Sequence, residues 1–209
     1  MGKSCCEAKS AELAKLREKQ GTVLKWVLGI NALMFVVEFT FGWLSRSSAL
    51  MADSLDMFGD AAVYGFSLFA LNRGAIWRAR AGLSKGVIMA ISGFVVLGQA
   101  TYRFLTASVP VAETMGVIGA VALAANAICL VLLYSHRADD INMRSTWLCS
   151  RNDIVSNVGV IVASVLVGLL NSGWPDLVVG VAIACLFLKS AYEVINEAQD
   201  ELRAPMVTN

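Results

Sequence analysis

Charge is what this chain has least of. Asp, Glu, Lys and Arg make up 16% of its 209 residues, against 57% hydrophobic residues. With a mean hydropathy of +0.65, that excludes a soluble core and defines an integral membrane composition. Cysteine is present five times, but no disulfide framework can be read from the spacing, and Cys129 and Cys185 fall in apolar segments. Histidine occurs once, as His136, beside Arg137, Asp139 and Asp140 in a polar link, where solvation accounts for it. No cleavable leader is expected. The first apolar run begins near Val23, is too long for a signal-peptide core and has no small-residue cleavage site after it, so it reads as a retained span. The net charge of +1 carries no message about partners, and no nucleic-acid partner is expected.

What is there is six apolar segments, at about residues 23–44, 49–71, 85–105, 114–134, 145–170 and 176–195. Each is roughly the 20 residues a helix needs to cross about 30 Å of hydrocarbon. Lipid offers the backbone no hydrogen-bond partner, so each must be helical. The expected fold is an all-α, multi-pass integral membrane bundle of six helices. It divides into an N-terminal segment over 1–22, a membrane domain over 23–195 and a short tail over 196–209, too short for a folded domain. Residues 7–19 read as a short amphipathic helix on the membrane surface.

Lys and Arg set the orientation. Lys3, Lys9, Lys15, Arg17, Lys19 and Lys25 precede or open the first span. Arg73, Arg78, Arg80 and Lys85 lie between the second and third, Arg137 and Arg144 between the fourth and fifth, and Arg203 after the sixth. The opposite side holds only Arg46 and Arg103. The positive-inside rule therefore puts both termini in the cytoplasm.

Two spans carry acidic and sulfur groups where a bilayer does not tolerate them. Asp56 and Asp60 are four residues apart, as are Cys149 and Asp153. On a helix that spacing places each pair on one face, about a turn apart. Facing one another, the pairs would give three carboxylates and a thiolate around a point, a ligand set for a divalent metal. An Asp at the centre of a spanning helix costs about 2.5–3.5 kcal/mol, so several of them point to use. Asp53 alone is explained equally well as a headgroup-reaching acid, and a membrane Cys is more often a small apolar filler than a ligand. Asn31 and Glu38 share a face of the first span; an interhelical hydrogen bond accounts for the Asn, while Glu38 is too costly to face lipid. Asn157 continues the face of Cys149 and Asp153. Asp53, Asn31, Glu38 and Asn157 are thus accessory or proton-relay candidates lining a polar interior. Asn126 and Gln99 get the structural reading. Cys5, Cys6 and Glu7 form a vicinal thiol pair with an acid, able to capture a soft metal ion; an inert or lipidated tail is the alternative. The similarity of the second and fifth spans is what a three-plus-three repeat would produce.

These motifs resemble the cation diffusion facilitator family of metal–proton antiporters over nearly all six spans. The second span reads Ser48-Ala-Leu-Met-Ala-Asp53 and then Asp56-x-x-x-Asp60. The fifth reads Cys149-x-x-x-Asp153 and then Asn157-Val-Gly-Val160, preceded by Asn142-Met-Arg144-Ser-x-Trp147. Asn31 and Glu38 also fit. The departures are Cys149 where the family usually has His, no His-bearing link between the second and third spans, and no counterpart of the usual cytoplasmic C-terminal domain. The resemblance implies export of a divalent metal against protons, by alternating access, across a membrane such as the bacterial inner membrane. Asp56, Asp60, Asp153 and Cys149 would be the ligands, with Zn²⁺ or Cd²⁺ the expected cargo and Co²⁺, Fe²⁺ and Mn²⁺ admitted. No permanently bound cofactor is expected. Partners would be metal, protons, lipid and a second copy of the chain, held through the spans. The rival reading is a non-transporting metal-binding or regulatory subunit of a longer transporter. A membrane-embedded enzyme is disfavoured, because no second constellation supplies a positioned general base.

Overall fold

The computed structural model describes the backbone of residues 5–70, 75–135 and 141–203. Side chains are described from Gly21 onward, apart from a number within 63–85, 141–152 and 190–203. Six helices follow in order: α1 (Cys5–Leu44), α2 (Ser48–Ala70), α3 (Ala75–Leu105), α4 (Ala112–Tyr134), α5 (Ile141–Leu170) and α6 (Trp174–Arg203). There is no strand among the described residues. The amphipathic stretch over 7–19 is not a separate surface helix; it is the first part of an unbroken 40-residue α1. The intervening residues are mostly good helix formers, and Gly21 costs only about 1 kcal/mol relative to Ala, too little to stop a helix that a span continues.

Among the described residues, five helices hold a stretch long and apolar enough to cross a membrane. The remaining one, α2, has the length at 23 residues but carries Asp53, Asp56 and Asp60. Composition sets it apart, not geometry. Large apolar side chains such as Leu33, Val131, Val155 and Leu169 lie on the outside of the bundle, where lipid solvates them. Exposed Trp and Tyr side chains gather toward the two rims: Trp43, Tyr102 and Trp174 at the end holding the α1–α2, α3–α4 and α5–α6 connections, and Trp26, Tyr134 and Tyr192 toward the other.

Among the described residues α1 packs on α2 as α4 packs on α5, α2 meets α3 as α5 meets α6, and α3 lies along α6. That neighbour pattern is what a three-plus-three arrangement gives, although the α2–α6 contact has no counterpart of similar extent between α5 and α3. The α3–α6 pair is close because small residues face it. A Cβ on Gly86 would sit 2.5 Å from Ile195 Cγ1, and one on Gly93 would sit 2.8 Å from Leu188 Cδ2.

The connections at the α1–α2 end are tied into one layer. Helices α1 and α3 both finish in a residue with positive φ, Arg46 (57°) and Ala107 (49°). In each case the next two N–H groups turn back onto the helix: Arg46 N–H donates to the Trp43 carbonyl and Ser47 N–H to Gly42, with the same pattern from Ala107 to Phe104 and from Ser108 to Arg103. Val111 N–H then donates to the Ser45 carbonyl at 2.9 Å, joining the first connection to the second. The third joins at Gly173, where an added Cβ would lie 2.6 Å from the Ser108 carbonyl oxygen. Backbone cannot yield as a side chain tip can. Gly173→Ala is therefore expected to destabilise the protein by about 1–3 kcal/mol, read as an earlier thermal unfolding transition in detergent.

The start of α2 is completed by α6. The Asp176 carboxylate is 1% exposed and accepts from Ser48 N–H at 2.6 Å, from Ala49 N–H at 3.0 Å and from the Ser47 hydroxyl at 2.6 Å. Ser47 Oγ in turn accepts from Leu50 N–H at 3.0 Å, and Met51 N–H bonds the Ser47 carbonyl. All four donors that a helix start leaves unpaired are thus satisfied, and a negative group sits at the positive end of the helix dipole. Gly180 lets α6 approach this closely, since a Cβ there would be 3.0 Å from the Ser48 backbone. Buried Arg103, at the end of α3, adds its charge to the field of Asp176.

Candidate metal site

Two apolar clusters bracket the interior. Toward the capped end lie Ala49, Leu50, Met115, Ile118, Val160 and Val167. Toward the other end lie Leu24, Val27, Tyr64, Cys129 and Leu133. Between them, at matching heights on four helices, come Asn31 and Glu38 of α1, Asp53, Asp56 and Asp60 of α2, Asn126 of α4, and Asp153 and Asn157 of α5. Except for half-buried Asp56, all of these are buried. The apolar period of each helix is interrupted on its inward face, so packing turns the polar positions into a band at mid-depth.

Within the band α2 holds the centre. Asp56 and Asp60 line one cavity of about 10 Å³, enough for a single water-sized occupant, together with Leu55, Gly59, Met89, Ser92 and Phe187 from α2, α3 and α6. Asp60 Oδ2 accepts from the Tyr64 hydroxyl at 2.8 Å, one helical turn on. Asp60 also acts electrostatically on Cys129 of α4, whose sulfur receives the Asn31 amide at 3.8 Å. That amide donates at the same time to the Val27 carbonyl at 2.8 Å.

Helix α5 reaches α2 through Asn157. Its Nδ2 donates to the Asp153 carbonyl at 2.7 Å and lies 3.5 Å from Asp53 Oδ1. Asp153 itself is 8% exposed. Glu38 of α1 also reaches this region, with Asp53 and Asp56 as its charged neighbours.

The structure therefore brings Asp56 and Asp60 to one cavity, and joins Glu38, Asp53 and Asn157 beside them. It does not converge three His, Cys, Asp or Glu side chains tightly enough to hold a metal among the described residues. The Cys149 side chain lies outside those residues, as do the side chains of Cys5, Cys6 and Glu7; His136 lies outside them altogether. Two participants were not anticipated from sequence. Tyr64 could have been found by its four-residue spacing from Asp60. Cys129 could not, because nothing in an apolar span marks one Cys as facing an acid.

A six-helix membrane bundle with a carboxylate-rich interior defines a multi-pass integral membrane protein of the kind that handles cations. Comparison with known proteins gives the family. The cation efflux transmembrane domain matches residues 24–202, and the chain belongs to that family, the cation diffusion facilitators. It is similar to the zinc transporter ZitB of Yersinia pestis, at 27% identity over 188 residues, covering 83% of this chain and 60% of the relative. ZitB of Escherichia coli K12 is 26% identical, covering 86% and 61%. A cadmium, cobalt and zinc/H(+)-K(+) antiporter of Bacillus subtilis is 25% identical, covering 83% and 62%. The chain thus spans about three-fifths of the length of these curated relatives.

Proposed function

We propose that this protein moves a divalent transition-metal ion, Zn²⁺ or Cd²⁺ foremost, out of the cytoplasm in exchange for protons, with both termini cytoplasmic and the membrane a bacterial inner membrane. The observation that carries the reading is the placement of Asp56 and Asp60 on one small cavity at mid-depth in a cation efflux domain. The names of the relatives, zinc transporters and a cadmium, cobalt and zinc antiporter, support the choice of cargo.

In this reading Asp56 and Asp60 supply carboxylate oxygen from the cavity, and Asp153, which does not converge with them in this structure, would join them from α5 with the Cys149 thiolate to complete a tetrahedral set suited to Zn²⁺ and Cd²⁺. Left empty in low dielectric, such a set cannot keep four negative charges together and holds protons instead. Binding requires deprotonated ligands, so cargo and protons exclude one another. Exclusion becomes antiport when the site opens alternately to the two sides by rocking of helices around it. The connections tied together at the α1–α2 end support a closed arrangement on that side. Two copies would associate through the spans.

Flux of Zn²⁺ and Cd²⁺ into proteoliposomes of the purified protein, with and without a pH gradient, tests this. Gradient-dependent flux is expected. Metal binding without flux would replace the reading with that of a regulatory subunit. Cys149 sets a separate expectation: a thiolate ligand softens the site, so Cys149→Ser should lower Cd²⁺ transport about 10-fold or more relative to Mn²⁺, by analogy with the affinity lost on altering metal-site residues. An unchanged metal preference in competition flux would remove the thiol from the ligand set.

A further inference from the structure

Around Glu38 and Asp53, four buried oxygen atoms of the polar band have no hydrogen-bond donor: Glu38 Oε1 and Oε2, Asp53 Oδ2 and Asn157 Oδ1. Their residues are among the most deeply buried in the protein, at 0%, 1% and 0% exposure. Burying one unsatisfied polar oxygen costs about 1–3 kcal/mol, and a charged one more. A native interior does not set two acidic groups among them against each other with nothing shared between them.

The arrangement specifies what is shared. The Glu38 and Asp53 carboxyls stand within hydrogen-bonding reach of each other, yet two ionised carboxylates are both acceptors and cannot bond. Asp53 Oδ1 is turned to the Asn157 amide N–H at 3.5 Å. Asp53 Oδ2 is left as an acceptor facing Glu38. The charged groups acting on Glu38 are Asp53 and Asp56, both on α2, and no Lys or Arg opposes them among the described residues. From α5 the pair meets the Asn157 amide, which has its N–H on Asp53 and its Oδ1 unpartnered while fully buried.

We infer that Glu38 and Asp53 form a proton-binding pair, in which Glu38 carries one proton and donates it to Asp53 Oδ2, apart from the carboxylates that face the cargo cavity. The pair then holds a single negative charge. Its hydrogen bond is of the charge-assisted kind, stronger than a neutral one. The inference stands apart from the transport reading: the proton is there whether or not the chain moves metal, and within an antiporter it would be a counter-ion held outside the metal ligands.

Infrared spectroscopy of the whole protein in lipid nanodiscs at neutral pH, without metal, tests this, because a protonated carboxyl has a carbonyl band well separated from those of carboxylate. Biosynthetic labelling with carbon-13 glutamate should move one protonated-carboxyl band, leaving any from aspartates in place. Glu38→Gln should abolish that band while the protein stays monodisperse, since its amide still donates to Asp53. The labelling needs no substitution, so the inference remains testable if the variant does not fold. It is overturned if no protonated band moves with labelled glutamate. It is equally overturned if Glu38→Gln removes only ionised-carboxylate intensity, which would mean that a metal or alkali cation bridges the two groups.

Discussion

Alanine in place of Asp60, or of Asp153, is expected to abolish metal flux while the protein still inserts and purifies as the wild type does. For Asp60 the reason lies in what its carboxylate faces; Asp153 is equally buried, on α5. Asp60 is 8% exposed, lines the small cavity with Asp56 and is oriented by the Tyr64 hydroxyl. Removing a carboxylate deletes both a ligand and the negative charge that offsets a dication in low dielectric. Substitution of residues that merely orient ligands costs about 10–100-fold in metal affinity, so loss of a ligand should exceed that and leave flux at background. Insertion should survive, because taking an Asp out of a spanning helix removes a cost of about 2.5–3.5 kcal/mol. Proteoliposome flux alongside a thermal melt separates the two effects. Wild-type rates in either variant would refute the site. Tyr64→Phe, which removes the hydroxyl that bonds Asp60, should fall between wild type and Asp60→Ala.

The second large effect concerns folding. Asp176→Ala should destabilise the bundle by about 3–5 kcal/mol, the range for removing one partner from a buried charged network. Ser48 N–H, Ala49 N–H and the Ser47 hydroxyl lose their acceptor together, and buried Arg103 loses the negative neighbour that offsets it. Asp176→Asn keeps one carbonyl acceptor and should lose roughly half as much, in proportion to the bonds retained. Unfolding followed by thiol-reactive dye or fluorescence-detected chromatography would rank wild type, Asn and Ala in that order. If the Ala variant melts within about 0.5 kcal/mol of wild type, the size of an ordinary surface change, water replaces the carboxylate and the cap is not structural.

How much of this could be read from the chain depends on range. The six helices were legible because lipid imposes one length and one polarity on every span. The α2 acids stood out because a spacing of four is local, as Tyr64 to Asp60 also is. Long-range partners were not legible. Asp176 looks like any acid at a span boundary, and its role appears only when Ser47 and Ser48, some 128 residues earlier, are brought to it. Asn157 reads as one more residue on the face of Asp153 until folding places it at Asp53, 104 positions away. Glu38 was marked by the cost of facing lipid, but spacing within α1 could not reveal that its neighbour is another acid. The surface helix over 7–19 was misjudged for the opposite reason. Amphipathic pattern is local, while helix continuity is decided by the span that follows.

The exposed aromatics at the two rims have a consequence for where this protein can work. On α1, Trp26 and Trp43 are separated by about 26 Å of helix rise at 1.5 Å per residue. Indole rings settle at the headgroup boundary, so the spacing of these belts is a distance the bilayer has to match. A thicker bilayer would have to tilt the helices or compress itself, and either response loads the helices that form the polar band. Acyl-chain length is therefore a variable to set alongside pH and metal in any measurement on this protein.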